Sequence, residues 1–215
     1  MDGKTIILSS LLIIRQLLWP ISVWASISLP QIPTTGIVPD GVLTEWPADS
    51  FQLFSNNQSS QTPRWAAVYD DFFLHLAIEV IDDTLEFSDF SSQTFLGNDA
   101  IRLYLGETGR ECALIITYQQ QLGRTCVVAD FFPESQTPTD PRWCIAAIRE
   151  TPQGYTCELS IARWRIPGLE TGETFKLQIV VLDFAAKILR QVHTLNGETT
   201  NWFDTDQFLL FSLPF

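Results

Sequence analysis

The chain has 215 residues, of which 46% are hydrophobic, and it carries a formal net charge of −12. The length suits one well-filled domain. The negative charge argues against binding to nucleic acid or to anionic lipid, because both attract clusters of Lys and Arg; neutral ligands and cations remain compatible with it.

The first 25 residues are predicted to be a secretory signal peptide. Lys4 gives a basic start, an apolar stretch follows, and V-W-A ends at Ala25. Arg15, Gln16 and Pro20 interrupt the apolar stretch, so it makes a poor spanning helix. A retained N-terminal anchor is the alternative. We therefore expect a secreted, periplasmic or cell-surface protein whose mature domain does not insert into a membrane.

Residues 26–36 are predicted to be a linker or lead-in, and residues 37–215 one domain. Pro, Thr and Gly are frequent in the lead-in, which is typical of irregular backbone. From about residue 40 onward, short segments with alternating hydrophobicity are separated by polar turns. The clearest is Phe72–Val80, where four aliphatic side chains alternate with more polar ones, as in a half-buried strand.

The remaining segments complete an all-β pattern. Roughly nine to eleven short strands predict a single antiparallel β-sandwich, jelly-roll-like, after the signal peptide. The only helical candidate is a turn or two near Ile161–Ile166, which would end at Pro167. The other predicted strands are Trp65–Tyr69, Asp99–Leu105, Glu111–Tyr118, Thr125–Phe132, Trp143–Glu150, Tyr155–Ile161, Phe175–Leu182, Lys187–Thr194 and Phe208–Leu213.

Four cysteines lie in the predicted domain without a CxxC pair, which argues against a zinc or redox site. Three full disulfide pairings are open to an exported chain. A hairpin register places Cys112, Cys144 and Cys157 toward the core and Cys126 outside. Buried free thiols are the favoured interpretation, ahead of a disulfide.

No catalytic motif is visible, so no enzyme is predicted. The two histidines, His75 and His193, are interpreted as surface residues. The pairs Asp70-Asp71 and Asp82-Asp83 are expected to cap turns, since neighbouring strand residues point to opposite faces. A structural calcium ion is the second interpretation of these pairs, and no other cofactor is expected.

The tryptophans are more informative. Most are expected to lie in the core or to cover an edge. Trp202 differs, because Asn201, Asp204, Asp206 and Gln207 surround it in a polar segment. An exposed indole can cover the apolar face of a sugar ring while polar neighbours bond its hydroxyls. Local sequence alone leaves a core role and a platform role equally open.

Six motifs follow one another in a recognisable order. They are DGVLTEW (40–46), VYDDFFLHLAIEVIDDTL (68–85), FLGNDAIRLYLG (95–106), GYTCELSI (154–161) with Trp164 shortly after, FKLQIVVLDFA (175–185) with Asp183, and the closing Trp202, Asp204, Phe208 and Leu213. In this order they resemble the family 9 carbohydrate-binding modules, a β-sandwich group related to DOMON-like domains. The resemblance covers about residues 37–213.

The resemblance implies an exported, non-catalytic carbohydrate-binding domain. Two tryptophans clamp a sugar in that family, and Trp202 takes the place of one. Leu96, with Phe95 beside it, takes the place of the other, and Arg102 replaces a Glu that bonds sugar hydroxyls. The sugar-binding residues so implied are Trp202, Arg102, Phe95, Asn201 and Asp204. A separate glycoside hydrolase is the enzyme partner that the family implies.

Two other functions remain open. A structural or partner-binding sandwich that has lost the sugar clamp is the main alternative. A haem-binding DOMON-like domain is disfavoured, because related haem modules use a Met ligand and Met1, the one Met of the chain, leaves with the signal peptide.

Overall fold

Among the residues that the computed structural model describes, twelve β-strands form two sheets. The structure describes residues 26–34, 36–54, 61–87, 97–107, 110–120, 123–130, 143–167, 169, 174–197, 199 and 204–213. The predicted signal peptide lies outside these ranges, within which no helix is long and apolar enough to cross a membrane. The strands are β1 (Ile27–Ser28), β2 (Gln52–Leu53), β3 (Arg64–Tyr69), β4 (Phe73–Ile81), β5 (Ala100–Glu107), β6 (Arg110–Gln119), β7 (Arg124–Asp130), β8 (Cys144–Thr151), β9 (Gly154–Ala162), β10 (Thr174–Ala185), β11 (Ile188–Thr194) and β12 (Leu209–Ser212).

The two sheets pack face to face as a β-sandwich, which confirms the predicted fold class. Sheet A has the order β1-β12-β10-β5-β6-β7, with β11 also paired to β10, and sheet B has the order β2-β3-β4-β9-β8. Neighbouring strands are antiparallel except β1 and β12. The nine-residue β4, with its alternating side chains, lies at the centre of sheet B, as its length and periodicity indicate.

Short 3₁₀ helices connect some of the strands. The predicted helical turn before Pro167 is one of them, at Arg163–Arg165. The others are Leu43–Glu45, Ala48–Ser50 and Thr205–Gln207. Each is a single turn, so among the described residues the fold consists almost wholly of β-strands and the loops that connect them.

The core lies between the inner faces of the two sheets. Every second side chain of β4, β5, β9 and β10 is buried there, as expected for strands whose successive side chains point to opposite faces of a sheet. Trp65 of β3 joins the sheets by meeting Phe211 of β12 edge-on at 5.8 Å. Within sheet A, Phe175 of β10 stacks on the same ring at 5.8 Å. Each ring removes a large apolar area from water, which makes the core the main source of stability.

The hairpin registers follow the prediction. Cys144 pairs with Ile161 and Ile148 pairs with Cys157 in the β8–β9 hairpin, and Ile116 pairs with Val127 in the β6–β7 hairpin. All four cysteines are free, as favoured from the sequence. Burial raises the pKa of Cys112 and of Cys144 to about 12, so these thiols stay protonated and act as small apolar side chains.

Candidate ligand-binding surface

The outer face of sheet A, the face turned away from the core, carries an array of polar side chains. Val180 of β10 pairs with Arg102 of β5 on one side and with Thr194 of β11 on the other. Arg102 in turn pairs with Ile115 of β6. Directly paired antiparallel residues project from the same face about 5 Å apart. Half-buried Arg102 and buried Thr194 therefore flank Val180 in one row across the sheet.

A second row lies beside the first. Tyr104 of β5 pairs with Gln178 of β10, whose side chain is buried. Gln178 Nε2 donates to Asn196 Oδ1 at 2.7 Å, and Asn196 Nδ2 donates to the Gln207 carbonyl at 2.7 Å. Amide side chains therefore connect the centre of the sheet to the segment that precedes β12.

Two oxygens on this face are buried without a hydrogen-bond partner in the described part of the chain. They are Gln178 Oε1 and Thr194 Oγ1. Buried polar atoms in folded proteins are normally paired, and an unpaired one costs about 1–3 kcal/mol. A hydroxyl group from a bound molecule or a water would supply the missing hydrogen bonds.

The segment before β12 crosses this face. The Phe208 ring packs 5.6 Å from that of Tyr104, in an apolar cluster with Val180 on the outer side of the sheet. Asp204, two residues after Trp202, is half-buried, and its Oδ1 accepts the Asp206 N–H at 3.1 Å. Asp204 therefore begins the 3₁₀ turn with a capping bond, a structural role that the sequence prediction of a sugar contact did not include.

Three predicted site residues lie outside the described residues: Trp202, Asn201 and Phe95. Of the predicted set, the structure places Arg102 on the outer face of sheet A and Asp204 at the start of the segment that crosses it. Gln178, Thr194 and Asn196 were missed by sequence reasoning. Gln178 had a weak signal, as a polar residue at an alternating position of β10, whereas Thr194 ends a strand without clear alternation and Asn196 lies in the turn that follows it.

The outer face of sheet B is closed by the N-terminal segment. Glu158 of β9 is buried there, and its Oε2 accepts the N–H groups of Asp40 at 2.9 Å and Gly41 at 2.7 Å. Its Oε1 accepts Trp46 Nε1 at 2.7 Å. Burial raises the pKa of Glu158, while these three donors act to lower it. Both oxygens of the carboxylate thus hold the segment of the DGVLTEW motif onto the sheet.

A buried Ser–His–Asp arrangement lies on the same outer face of sheet B. His75 Nδ1 is 2.8 Å from Ser160 Oγ, and His75 Nε2 is 3.3 Å from Asp70 Oδ2. The prediction of a surface His75 is therefore wrong: it is 2% exposed, because the lead-in pairs with Tyr69 and covers this end of the sheet. All three side chains are closed to a substrate, so the arrangement connects strands rather than performing catalysis.

The hydrogen bonds fix the protonation of this group. Burial lowers the pKa of His75, against the opposing effect of Asp70. Burial acts to raise the pKa of Asp70, but the N–H groups of Phe72 and Phe73 and the bond to His75 bring it below its ordinary value. An ionised Asp70 can only accept, so Nε2 of a neutral His75 carries the proton and Ser160 donates to Nδ1.

His193 was also expected at the surface, and that prediction is wrong as well. It pairs with Val181, whose side chain lies in the core, and burial lowers its pKa. The tryptophans follow the expectation more closely. Trp46, Trp65 and Trp143 are buried, whereas Trp164, which follows β9, is 68% exposed with the Arg165 guanidinium 4.4 Å above its ring.

Acidic side chains gather at two places among the described residues. One group is Asp40, Glu45 and Glu158, where Glu158 already has its donors. The other is Asp82, Asp99 and Asp183, at one end of the sandwich. In the remaining Asp pair, Asp70 caps the β3–β4 turn as predicted, whereas the Asp71 carboxylate accepts the Gln31 and Thr34 side chains of the lead-in.

The second group has perturbed acidities. Burial, together with the charges of Asp82 and Asp183, raises the pKa of Asp99 to about 7. Burial and the charge of Asp82 likewise raise the pKa of Asp183 to about 6. Tyr155, whose hydroxyl has no partner among the described residues, has its pKa raised by burial and by the same three carboxylates. A cation among these oxygens would offset their mutual repulsion.

Comparisons with known proteins give structural matches but no sequence-level ones. No protein-family model and no curated protein matches the chain. A family 9 carbohydrate-binding module from Caldicellulosiruptor kristjanssonii in complex with cellotriose has a TM-score of 0.63 at 16% identity, covering 86% of this chain and 93% of that one. The glucose complex of a family 9 module from the same organism gives 0.63 at 17% identity, covering 88% and 96%.

A third solved structure also matches the fold of this chain. It is a Bacteroides uniformis protein assigned as carbohydrate-binding, with a TM-score of 0.60 at 10% identity, covering 88% of this chain and 99% of that one. At such identities a structural match establishes the fold, and it extends over nearly the full length of all three proteins. The chain therefore has the fold of the family 9 carbohydrate-binding modules, as the order of its sequence motifs indicated.

Proposed function

We propose that this chain is a non-catalytic domain that binds a neutral carbohydrate on the outer face of sheet A. The observation that carries the proposal is the pair of rows across that face. They place half-buried Arg102 and buried Thr194 on either side of Val180, with buried Gln178 in the neighbouring row. Thr194 and Gln178 each have a buried oxygen without a hydrogen-bond partner among the described residues. The fold similarity to modules crystallised with cellotriose and glucose supports the same class of ligand.

The chemistry of this face suits a sugar. Arg102 supplies several N–H donors, and Gln178 Oε1 and Thr194 Oγ1 supply acceptors. Sugar hydroxyls both donate and accept, so one ring can engage donors and acceptors together. The segment that contains Asp204 and Phe208 crosses the face and directly follows Trp202 in the chain. In this proposal the Trp202 indole covers the apolar side of the ring, and Phe95 and Asn201 complete the contact.

The proposal extends to the setting of the protein. The basic, apolar and V-W-A pattern of residues 1–25 supports export by a signal peptide, so the domain would meet polysaccharides outside the cytoplasm. A separate glycoside hydrolase is the proposed enzyme partner, because binding alone leaves the polymer intact.

Calorimetric titration of the exported protein with cellotriose and glucose tests the proposal. We expect saturable binding that Trp202→Ala weakens at least about tenfold, or about 1.4 kcal/mol, through loss of the stacking surface. Trp164→Ala is the matched control, since Trp164 is an exposed indole away from sheet A. Binding that survives Trp202→Ala would place the sugar elsewhere.

A flat titration with these sugars and with other neutral oligosaccharides would reject carbohydrate binding. The partner-binding interpretation would then take its place. The exposed Phe72 and Trp164 would be the first residues to test as a protein contact. They lie close together, because the N–H of Arg163, the residue before Trp164, donates to the Phe72 carbonyl at 2.8 Å.

A further inference from the structure

A chain of amide hydrogen bonds runs from the centre of sheet A to the segment before β12. Gln178 of β10, which is 0% exposed, donates through Nε2 to Asn196 Oδ1, and Asn196 Nδ2 donates to the Gln207 carbonyl, both at 2.7 Å. Asn196 lies two residues beyond β11, and the pairing with β10 continues there, because the Leu195 N–H donates to the Ile179 carbonyl at 2.9 Å. This amide chain therefore links parts of the outer face that are separated in sequence.

The direction of these bonds is fixed by the Gln207 carbonyl. A backbone carbonyl can only accept, so the Asn196 amide nitrogen faces it and the Asn196 oxygen faces Gln178. The Gln178 nitrogen then faces Asn196, which leaves Gln178 Oε1 as the atom without a hydrogen-bond partner among the described residues. A flip of either amide would place two acceptors against each other. Asn196 thus determines that the buried Gln178 amide presents an acceptor to the outer face.

The amide chain also attaches the 3₁₀ turn Thr205–Gln207 to the sheet, because the last carbonyl of the turn is its final acceptor. Directly after the turn, buried Phe208 packs against Tyr104 of β5 with the ring centroids 5.6 Å apart. An ion pair to the turn is looser, since Lys176 Nζ lies 3.8 Å from Asp206 Oδ1 and the Asp206 side chain is 79% exposed. Exposed ion pairs contribute little stability. We therefore attribute the placement of the turn to the amide chain and the Phe208 ring.

We propose that Asn196 is a positioning residue of the ligand-binding surface, which rests on the proposed sugar binding. Asn196 follows Thr194 by two positions and so borders the row that contains Thr194 and Arg102. It acts on a ligand through two other groups, because it orients the Gln178 amide and holds the turn that crosses the face. A sugar then meets a preformed surface, and less binding free energy is lost in ordering the turn.

Calorimetric titration of two variants of the exported protein with cellotriose tests this role, with chemical denaturation of each variant alongside. Asn196→Asp keeps an acceptor for Gln178 but loses the donor to the Gln207 carbonyl, whereas Asn196→Ala removes both bonds. We expect Asn196→Asp to weaken binding about two- to tenfold at pH 7, the range for one neutral hydrogen bond, and Asn196→Ala at least as much. Lys176→Ala is the matched control, because it removes only the loose ion pair to the same turn and should keep the affinity within about twofold.

The pH dependence of Asn196→Asp separates positioning from a general loss of stability. An ionised Asp repels the Gln207 carbonyl, but near the ordinary Asp pKa of about 3.9 the protonated carboxyl regains an O–H donor. We therefore expect the affinity of Asn196→Asp, relative to wild type at the same pH, to recover from pH 7 toward pH 4, while that of Asn196→Ala does not.

Two results would overturn the positioning role while leaving sugar binding intact. One is wild-type affinity in both Asn196 variants, whatever their unfolding free energy. The other is a loss of affinity in Asn196→Asp that does not recover at low pH. Wild-type protein that binds no neutral oligosaccharide would instead reject the proposed function, and the positioning role with it.

Discussion

The outer faces of the two sheets differ in how their buried polar groups are paired. On sheet B, Glu158 accepts three N–H groups from the N-terminal segment, and His75 is held between Ser160 and Asp70. On sheet A, oxygens of Gln178 and Thr194 remain without a partner among the described residues. Both faces are polar and largely buried, so burial alone does not distinguish them.

The difference shows which polar surface is structural and which is available to a ligand. A carboxylate that accepts three N–H groups of the chain, with both of its oxygens bonded, has little capacity left for a bound molecule. A buried acceptor without a hydrogen-bond partner is costly, and a donor group of a bound molecule would remove that cost. We therefore attribute a stabilising role to the polar groups of sheet B, and we propose that those of sheet A bind the ligand.

The largest expected effect comes from removing Glu158. Glu158→Ala leaves three N–H donors unpaired, two of them in buried hydrogen bonds, and releases the segment that carries Trp46, so we expect a loss of at least about 3 kcal/mol in unfolding free energy. Chemical denaturation measures it. Glu79→Ala is the control, because Glu79 forms a partly exposed ion pair with Arg64 and should cost less than about 1 kcal/mol. Similar costs for the two variants would break the distinction between the faces.

A smaller effect is expected from Arg102. Arg102→Ala removes donors from the outer face of sheet A, and a hydrogen bond from a charged group contributes about 1.5–3 kcal/mol, which corresponds to roughly tenfold or more in affinity for cellotriose. Lys176→Ala is the control for charge, since Lys176 pairs with Gly106, farther along the same strands. If both variants weaken binding equally, general electrostatics rather than contact explains the loss.

The smallest effect concerns pH. Burial lowers the pKa of His75, so below the unfolded value of 6.5 the unfolded chain takes up a proton that the folded one does not. His75 therefore reduces stability as pH falls through this range. His75→Gln, which can keep bonds to Ser160 and Asp70, should lose less stability than wild type between about pH 7 and pH 5. If the unfolding free energies of wild type and His75→Gln change in parallel with pH, the pKa of His75 is not lowered in the folded state.

The strands were predictable because each is encoded by the alternation of side chains within one short stretch of sequence. Period-two alternation in Phe72–Val80 and in the hairpins fixes which side chains face the core, and the register of Cys144 with Ile161 followed from it. The same alternation placed His75 on an outer face correctly but could not show that face to be covered. The cover is the N-terminal segment, which has no periodicity and whose anchor, Glu158, lies more than 100 residues away in sequence.

The candidate sites also depend on contacts between residues that are far apart in the sequence, which local patterns do not reveal. Sequence reasoning found the neighbouring Asp82-Asp83 pair, but the group in the structure joins Asp82 to Asp99 and Asp183, which only the packing of the two sheets brings together. Arg102 was located from an ordered motif, whereas Thr194 and Gln178 had no motif of their own. Their role depends on cross-strand pairing with Val180 and Tyr104, which cannot be read from any one segment.

The most direct test of the central claim is a crystal structure of the protein soaked with cellotriose. We expect a sugar ring over the outer face of sheet A, within hydrogen-bond distance of Arg102 and stacked on Trp202. Sugar density on the outer face of sheet B, or beside Trp164 with the face around Arg102 empty, would contradict it.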